Sequence, residues 1–429
     1  MKVHLRMLGC RLNQSEIDMM SRQFEQQGHT ITDSPADADQ IIINTCAVTN
    51  EATRSSRKLI RELNRSNPQA QITVTGCYAQ IQPDEIKVID GVKRVVNNAD
   101  KHAIVSEITG VPLEAFDIEP HARNVSSAGA GMRTRAFIKI QDGCDNACTF
   151  CVTTVARGAG QSRNSDEIVT EIGYLHHTLG YQEAVLTGVH LGSYGYDLGN
   201  RDGLKHLVQR ILAETDIPRL RLSSLEPWDL SDGFFDLWQD QRLQPHLHLP
   251  LQSGCDATLK RMRRNTTQAE FRALMHTARA KIPDVRITSD VIVGFPGEDD
   301  AEWAISEAFI HEMDFDGLHV FRYSTRQGTP AARMRNKVPN ATKKARIQVL
   351  LAWASQQEQR FAKRYIGQTL PILWEGVGGA SNAGYMQNGY THNYIRVQAT
   401  SPRILTNLIT HASIEHVVDG VAQVTPVIE

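Results

Sequence analysis

The stretch that decides the fold is AFIKIQDGCDNACTFC, residues 136–151, in which a short apolar segment runs into a loop with three cysteines. These cysteines, Cys144, Cys148 and Cys151, have the spacing C-x-x-x-C-x-x-C. A [4Fe–4S] cluster is held by cysteine thiolates, and three protein ligands leave one iron open to a substrate or cofactor. A structural zinc ion takes four ligands, so a zinc site would need a histidine from elsewhere. The loop therefore predicts an iron–sulfur site, with zinc as the alternative.

The N-terminal part of the chain alternates strand-like and helix-like segments. Strands are predicted over residues 3–7, 41–44 and 72–75, and helices over 13–27, over 50–64 and from about 83. Asn13, with Glu16 three residues later, has the pattern of a helix N-terminal cap. Alternating β and α segments favour an open parallel sheet.

Three further cysteines, Cys10, Cys46 and Cys77, follow these three strands in turn. In open α/β sheets, ligands bind just beyond the carboxyl ends of the strands. Neighbouring strands lie roughly 5 Å apart, so thiols at their ends can converge on one metal cluster. The placement predicts a second three-cysteine site. The alternative is three buried structural cysteines, since free Cys is often buried.

The middle of the chain resumes the alternation with a longer period after a Gly, Ala and Ser linker at residues 125–131. We predict strands over residues 136–140, 184–187, 220–223, 246–249, 286–293 and 317–321. The predicted helices cover residues 165–179, 204–214, 230–241, 267–280 and 300–312. Six β/α units are too few for a closed eight-stranded barrel, so a six-stranded partial barrel is expected.

A long amphipathic helix over residues 340–365 precedes a segment of a different character. Short strands such as 370–375 and 394–399, separated by Gly, Asn and Ser, predict a small β-barrel. The expected fold class is α/β with three domains. These are an open parallel α/β sheet over residues 1–124, a partial (β/α)6 barrel over 132–365 and a β-barrel over 366–429.

The composition limits the class of protein. A net charge of −2 with 41% hydrophobic residues is ordinary for a soluble globular chain. No apolar run approaches the roughly 20 residues of a membrane span, so no membrane association is expected. Seven cysteines in 429 residues do not suggest a secreted disulfide scaffold. We expect a cytoplasmic protein, and a case for nucleic-acid binding must rest on local features.

Polar and glycine residues follow the predicted strands of the middle domain. Alone, each is better explained by a turn or a core position, but together, beside the cysteine loop, they favour a ligand cleft. The residues are Gly188, Ser224, Glu226, Gln252, Asp290 and His319.

Features that suit RNA lie in all three domains. Lys and Arg contact phosphates, and tyrosines stack on bases. Solvated helix faces and core packing are the alternatives. The candidates are Arg57, Arg61, Arg157, Arg163, Arg263, Tyr390 and Tyr394, with a further basic run at residues 333–344. The seventh cysteine, Cys255, stands alone and is expected to be structural.

The cysteine loop resembles that of the radical S-adenosylmethionine (SAM) enzymes. With both cysteine sets and a terminal barrel, the chain resembles the methylthiotransferases over essentially its full length. The branch that modifies N6-threonylcarbamoyladenosine in tRNA is the most similar one. The segments that carry this likeness are GCRLNQ (9–14), NTCAVT (44–49), TGCYAQ (75–80) and GYTHNY (389–394).

The resemblance implies two [4Fe–4S] clusters and SAM. SAM bound at the open iron of the Cys144, Cys148 and Cys151 cluster would give a 5′-deoxyadenosyl radical, and the Cys10, Cys46 and Cys77 cluster would carry the sulfur. A methylthio group would then reach carbon 2 of the adenosine just 3′ to the anticodon. The family fold ends in a TRAM domain. The polar strand-end residues become the expected SAM contacts.

The same resemblance implies tRNA as the substrate and an electron donor such as flavodoxin or ferredoxin, and we expect a monomer. Two sister activities stay open: modification of isopentenyladenosine in tRNA, and of an aspartate in a ribosomal protein. A rival of another class is a non-catalytic iron–sulfur or zinc protein that binds RNA. An open three-ligand loop speaks against that rival, because a purely structural site gains nothing from an empty coordination position.

Overall fold

The computed structural model describes residues 1–112, 134–382 and 384–427. The predicted linker, with the two domain boundaries beside it, lies outside the described residues. The N-terminal strands are β1 (Lys2–Met7), β2 (Thr30–Ile31), β3 (Gln40–Thr45), β4 (Gln71–Gly76) and β5 (Val92–Val95). They form one parallel sheet in the order β2-β1-β3-β4-β5. The predicted open parallel sheet is confirmed, and the three strands that precede cysteines are neighbours.

Helices connect these strands and cover the sheet. They are α1 (Arg11–Gln26), α2 (Asn50–Ser66), α3 (Cys77–Ile81), α4 (Pro83–Lys87) and α5 (Ile104–Thr109). The side chain of Thr49 caps α2 by accepting from the Ala52 amide. The predicted cap of α1 by Asn13 is wrong, because α1 begins at Arg11 with Cys10 in the cap position. The Asn13 amide instead donates to the carbonyls of Leu8 and Thr45, at 2.9 and 3.2 Å.

The middle domain contains two three-stranded parallel sheets, β10-β9-β6 and β11-β12-β13. The strands are β6 (Arg135–Lys139), β9 (Glu183–Thr187), β10 (Arg219–Leu222), β11 (His246–His248), β12 (Arg286–Val293) and β13 (Gly317–Arg322), with a small antiparallel pair of β7 (Gln141–Asp142) and β8 (Gln161–Ser162). A parallel bridge between Ser224 and His248 joins the two sheets. The result is the expected six-stranded partial barrel.

The helices of the middle domain are α6 (Thr153–Arg157), α7 (Ser165–His177), α8 (Gly203–Glu214), α9 (Asp256–Met262), α10 (Gln268–Lys281) and α11 (Asp300–Met313). The outer helices that pack on the barrel strands are α7, α8, α10 and α11. The helix predicted over residues 230–241 is wrong, because only a 3₁₀ turn, Phe234–Gln239, forms there. Gly233 precedes that turn with a φ of 71°. Phe234, Phe235 and Trp238 then pack on one another, which suits the tighter 3₁₀ spacing.

Side chains alternate between two faces along the barrel strands. One set packs into the core with the outer helices: Ala136, Ile138, Ala184, Leu186, Leu220, Leu222, Ile287, Val291 and Leu318. The other set faces the inside of the barrel and is mostly polar: Arg135, Lys139, Glu183, Thr187, Arg219, Arg221, His246, His248, Arg286, Thr288, Asp290 and His319. Buried polar groups need partners, so this interior is suited to hold polar atoms.

The C-terminal part begins with α12 (Asn340–Lys363) and continues as a closed five-stranded barrel in the order β14-β15-β16-β18-β17. Its strands are β14 (Thr369–Ser381), β15 (Gly384–Thr391), β16 (Arg396–Ser401), β17 (Ile409–Val418) and β18 (Val421–Pro426). Trp374 is fully buried in its core. The predicted small β-barrel is confirmed. None of the described helices is long and apolar enough to cross a membrane.

The loop between β15 and β16 enters the lower end of the central barrel, where the strands begin. Arg219 and Arg221 donate to the carbonyls of Thr391 and His392, at 2.9 and 3.2 Å. The Tyr394 hydroxyl accepts from Arg135 and Arg11, at 2.6 and 3.0 Å. We call residues 392–395 the plug loop. The C-terminal barrel therefore closes the lower end of the central one.

The plug loop corrects the expectation that Tyr390 and Tyr394 stack on RNA bases. The two rings stack on each other, with centroids 4.7 Å apart. Tyr394 also lies under the guanidinium of Arg221, 4.5 Å from the ring centroid. Both faces of the Tyr394 ring are thus occupied by this protein.

The N-terminal domain closes the side of the partial barrel between β6 and β13. Helix α1 runs along β6, where the Ser15 hydroxyl accepts from the Lys139 amide at 3.2 Å. At the other edge, Arg326 follows β13 and donates to the Ala47 carbonyl and to the Asn50 side chain. All three domains therefore enclose one interior space.

Tyr394→Phe tests the plug loop. The substitution removes the acceptor of two guanidinium groups, and a buried donor left without a partner costs about 1–3 kcal/mol. We expect the free energy of unfolding, measured by urea titration, to fall by about that amount. Tyr174→Phe is the matched control, since the Tyr174 hydroxyl makes no hydrogen bond within the described residues. Equal stability of the two variants would contradict the role of the Tyr394 hydroxyl.

Candidate functional site

The first cysteine set lies at the carboxyl ends of three adjacent strands. Cys10 follows β1, Cys46 follows β3, and Cys77 is the first residue of α3 after β4. Two glycines let these loops approach. A Cβ on Gly9 would come within 3.0 Å of the Cys46 Cβ, and one on Gly76 within 2.3 Å of a backbone oxygen. Both glycines have positive φ values, 128° and 98°, which disfavour any other residue.

The second set lies on the loop after β6. Gly143, with a φ of 70°, turns the chain so closely that a Cβ there would meet the Ala159 carbonyl. The amides of Asn146 and Thr153 donate to the sulfurs of Cys144 and Cys151, at 3.4 and 3.3 Å. The loop is therefore shaped to hold its sulfurs with backbone donors directed at them.

Both sets are free thiols that suit a soft metal. All seven cysteines are unpaired, and the pKa values of Cys46 and Cys148 are raised to about 11, mainly by burial. Thiolate ligation displaces these protons, so metal binding is coupled to proton release. Three thiols on each side match the two three-ligand [4Fe–4S] sites that the sequence predicts. Cys255 is buried at the start of α9 and belongs to neither loop.

A histidine, His190, lies beside Cys144. His190 is ion-paired through Nε2 with the buried carboxylate of Asp229. Burial would lower its pKa, but the hydrogen bonds to Asp229 and Cys144 raise it to about 10. Asp229 therefore orients the His190 ring beside the cysteine loop.

Arg157 joins the two cysteine sets. It ends α6, six residues after Cys151, and its guanidinium contacts Glu16 and Asp142 at 3.0 and 2.9 Å. It also donates to the Asn13 side chain at 2.9 Å, and the same Asn13 oxygen accepts from the Cys10 thiol at 3.6 Å. The predicted RNA contact of Arg157 is wrong, because its side chain is only 3% exposed.

Glu16 is the centre of this network. Its carboxylate, which is 1% exposed, pairs with Lys101 at 2.6 Å as well as with Arg157. Burial alone would raise the pKa of Glu16, but the two cations hold it well below its usual range. Arg163 is likewise committed to the protein, because it binds Glu171 and the Lys139 carbonyl, both at 2.8 Å. This use of Arg163 does not support its predicted RNA contact.

The predicted strand-end residues fall into separate groups. Glu226 forms a two-point ion pair with Arg264, which also lies 3.9 Å from the Cys148 sulfur and donates to the Pro250 carbonyl at 2.7 Å. Asp290 and His319 lie side by side inside the barrel with His248. Gly188 lies against Gln141, Ser224 is exposed, and Gln252 has a φ of 71°.

Sequence reasoning missed Glu16, Lys101, Arg264 and His190. Each is placed by a partner far away along the chain, so no local pattern marks it. Of the predicted RNA contacts, Arg61 and Arg263 are exposed, and Arg57 is half-buried and paired with Glu85 at 3.0 Å. These three remain on the surface.

Comparison with known proteins agrees with this geometry. Residues 2–97 match the family model described as Uncharacterized protein family UPF0004, and residues 138–309 match the Radical SAM superfamily. Threonylcarbamoyladenosine tRNA methylthiotransferase MtaB of Bacillus subtilis is 38% identical to the chain, covering 91% of it and 88% of that protein.

One further relative and one solved structure show how far the similarity extends. The tRNA-2-methylthio-N(6)-dimethylallyladenosine synthase of Staphylococcus haemolyticus is 30% identical, covering 95% of this chain and 81% of that protein. The radical SAM methyltransferase TsrM from Kitasatospora setae, solved with cobalamin and a [4Fe–4S] cluster, superposes with a TM-score of 0.56 at 14% identity. That alignment covers 77% of this chain and 73% of TsrM and shows a shared fold.

Glu16→Gln tests the buried network. Removing one partner of a buried ion pair costs about 3–5 kcal/mol, because the remaining charges are left uncompensated. We expect a loss of this size in urea unfolding of cluster-loaded protein at pH 7. The difference in unfolding free energy should shrink as the pH falls below about 4.5. A carboxylate whose pKa is lower in the folded than in the unfolded protein contributes its full stability only above the unfolded-state pKa.

Glu62→Gln is the control for this comparison. Glu62 pairs with Lys58 on the exposed face of α2, at 3.6 Å. Exposed pairs contribute about 0–1 kcal/mol, so this variant should unfold almost as the unchanged protein does. A loss for Glu16→Gln no larger than that for Glu62→Gln would contradict the network.

Proposed function

The chain belongs to the radical SAM methylthiotransferase family, and we propose that it transfers a methylthio group to carbon 2 of N6-threonylcarbamoyladenosine in tRNA. One observation carries the proposal. Two three-cysteine sets, on two domains, are held against one interior space by the contacts of Arg157. The B. subtilis relative, named for this substrate, matches nearly the whole chain.

Two [4Fe–4S] clusters and SAM supply a 5′-deoxyadenosyl radical and the sulfur for transfer when bound. We propose that Cys144, Cys148 and Cys151 hold the cluster that binds SAM. Cys10, Cys46 and Cys77 hold the other, within reach of the same barrel interior. In each set three thiolates leave one iron free for a further ligand.

The chain's own residues orient these groups and exclude water. Arg264 donates toward the Cys148 sulfur while binding Glu226, so both strand-end loops are fixed together. We propose Gly188, Ser224, Glu226 and Gln252 as SAM contacts at the strand ends. They supply a close backbone approach, a hydroxyl, a carboxylate and an amide to a zwitterionic ligand.

The tRNA backbone is assigned to the exposed basic residues of the first two domains. Arg61 on α2 and Arg263 after α9 are free to reach phosphates, and Arg57 lies beside Arg61 on the same helix. The C-terminal barrel has only Arg396 and Arg403 as basic residues beyond position 365. Phosphate contacts by these groups predict binding that weakens with salt.

Reductive cleavage of SAM needs a one-electron donor of low potential, such as flavodoxin or ferredoxin. We propose that a protein of this kind serves the cluster on Cys144, Cys148 and Cys151. We also propose that the protein works as a monomer in the cytoplasm. One chain supplies both cysteine sets and all three walls of the site, which supports the monomer.

Metal analysis of anaerobically reconstituted protein tests the cluster assignment. We expect about eight irons per chain, and about four after Cys77→Ala or Cys148→Ala, because each variant removes one three-thiolate set. Cys255→Ala is the matched control and should keep about eight. Loss of iron from Cys255→Ala, or its retention in the other variants, would contradict the assignment.

Mass spectrometry of digested tRNA tests the reaction. Reduced enzyme with SAM should convert threonylcarbamoyladenosine in tRNA to its 2-methylthio form, and Cys46→Ala and Cys148→Ala should not. The second substrate to test is tRNA with isopentenyladenosine, because the S. haemolyticus relative is named for that nucleoside. Product only from that tRNA would move the chain to the sister branch. If SAM yields no 5′-deoxyadenosine with either tRNA, the radical chemistry is overturned.

A further inference from the structure

The polar interior of the central barrel consists of two layers. The lower layer, near the strand starts, contains Arg135, Glu183, Arg219, Arg221, His246 and Arg286, and the plug loop fills it. The upper layer, near the cysteine loops, contains Lys139, Thr187, His248, Asp290 and His319. Because the lower layer is occupied by this protein, a ligand inside the barrel meets the upper one.

Three upper-layer side chains on adjacent strands converge. Asp290 on β12 is paired in register with His319 on β13, and His248 lies on β11 beside them. One nitrogen or oxygen atom from each lies within 4.8 Å of the others. The imidazole rings of His248 and His319 have centroids 5.5 Å apart. These groups form one small polar surface.

The three side chains are not equivalent. His248 is fixed, because its Nδ1 contacts the Thr288 hydroxyl at 2.9 Å and its Nε2 lies 3.2 Å from the Asp290 carboxylate. Asp290 is therefore oriented by His248, and it stays one-quarter exposed. His319 is exposed, and within the described part of the chain its ring makes no hydrogen bond. Asp290 thus offers an oriented acceptor and His319 an unused donor.

The two adenosine substrates of this family differ in what such a surface can bind. A threonylcarbamoyl group has ureido N–H donors, a hydroxyl and a carboxylate, whereas a dimethylallyl group has no hydrogen-bonding atom. A polar site that the bound substrate shields from water rejects a substrate that leaves the site's groups unpaired. The upper layer therefore matches the first substituent and opposes the second.

We propose that Asp290 and His319, with His248 as the residue that positions Asp290, form the recognition site for the hydrogen-bonding N6 substituent of the target adenosine. Asp290 accepts from the ureido N–H or the hydroxyl, and His319 donates to the carboxylate. This inference rests on the proposed function and adds the side chains that select the substrate. It also separates these two residues from the remaining strand-end residues, which face SAM.

The experiment pairs a change in the protein with a change in the substrate. The full-length, cluster-loaded enzyme is given tRNA with threonylcarbamoyladenosine, or the same tRNA with the carboxylate converted to a neutral carboxamide. The measured quantity is the ratio of kcat/KM for the two tRNAs. A hydrogen bond to a charged group corresponds to a ratio of about 10- to 100-fold, which we expect for the unchanged protein.

His319→Leu should lower the ratio of kcat/KM for the two tRNAs to about 2 or less, because the variant lacks the donor that binds the carboxylate. Asp290→Asn should lower kcat/KM on both tRNAs, and it should weaken the rejection of isopentenyladenosine tRNA. His276→Leu is the matched control, since His276 is an exposed histidine on α10, outside the barrel interior. It should keep the ratio of the unchanged protein.

The outcomes distinguish this inference from the proposed function. If His319→Leu keeps the full ratio and instead raises the KM for SAM, His319 is a SAM contact and the inference is overturned. If the unchanged protein has the same kcat/KM for both tRNAs, no side chain recognises the carboxylate. The inference then also fails, while the proposed function is unaffected. If the unchanged protein modifies only isopentenyladenosine tRNA, the proposed function fails first.

Discussion

The buried ion pairs of Glu16 are the constraint on which both cysteine sets depend. Glu16 belongs to the helix that begins just after Cys10, and its partner Arg157 ends the helix that follows Cys151. A guanidinium presents its donors in a rigid plane, so it fixes Glu16, Asp142 and Asn13 in one geometry at once. The two cysteine loops are thereby held at one relative position.

This arrangement favours specificity over stability. Taking charges out of water costs several kcal/mol for each ion, and their mutual attraction repays this only where the geometry is good. An apolar contact between the domains would hold them together at less cost, but it would allow them to slide. Lys101, Lys139 and Arg157 outnumber the two carboxylates they surround, Glu16 and Asp142. The charge of Arg157 also reaches the thiols of Cys46 and Cys77, where it favours the thiolate forms.

Local patterns predicted the cysteine sets, the parallel sheet, the six barrel strands and the C-terminal barrel, because spacing and periodicity are visible over short stretches. The errors came from residues whose roles depend on distant partners. Asn13 looked like a helix cap, Arg157 like a phosphate ligand and Tyr394 like a base-stacking ring. Their partners lie 32, 141 and 259 positions away. The sequence did contain a sign of the polar barrel interior, because Arg219 and Arg221 alternate with leucines along one strand. Only the closed barrel shows that the arginine face of this strand points inward.

The closing of the central barrel by the other two domains explains how three domains can serve one reaction. A six-stranded barrel is open along one side and at its lower end, and a radical formed there would be exposed to water and to competing hydrogen donors. Helix α1 and Arg326 close the side, and the plug loop closes the lower end. Among the described residues, these contacts close the side and the lower end but not the end that carries the cysteine loops, so the adenosine of our proposal would reach the upper layer from there. The walls of this interior space are therefore set by contacts between domains.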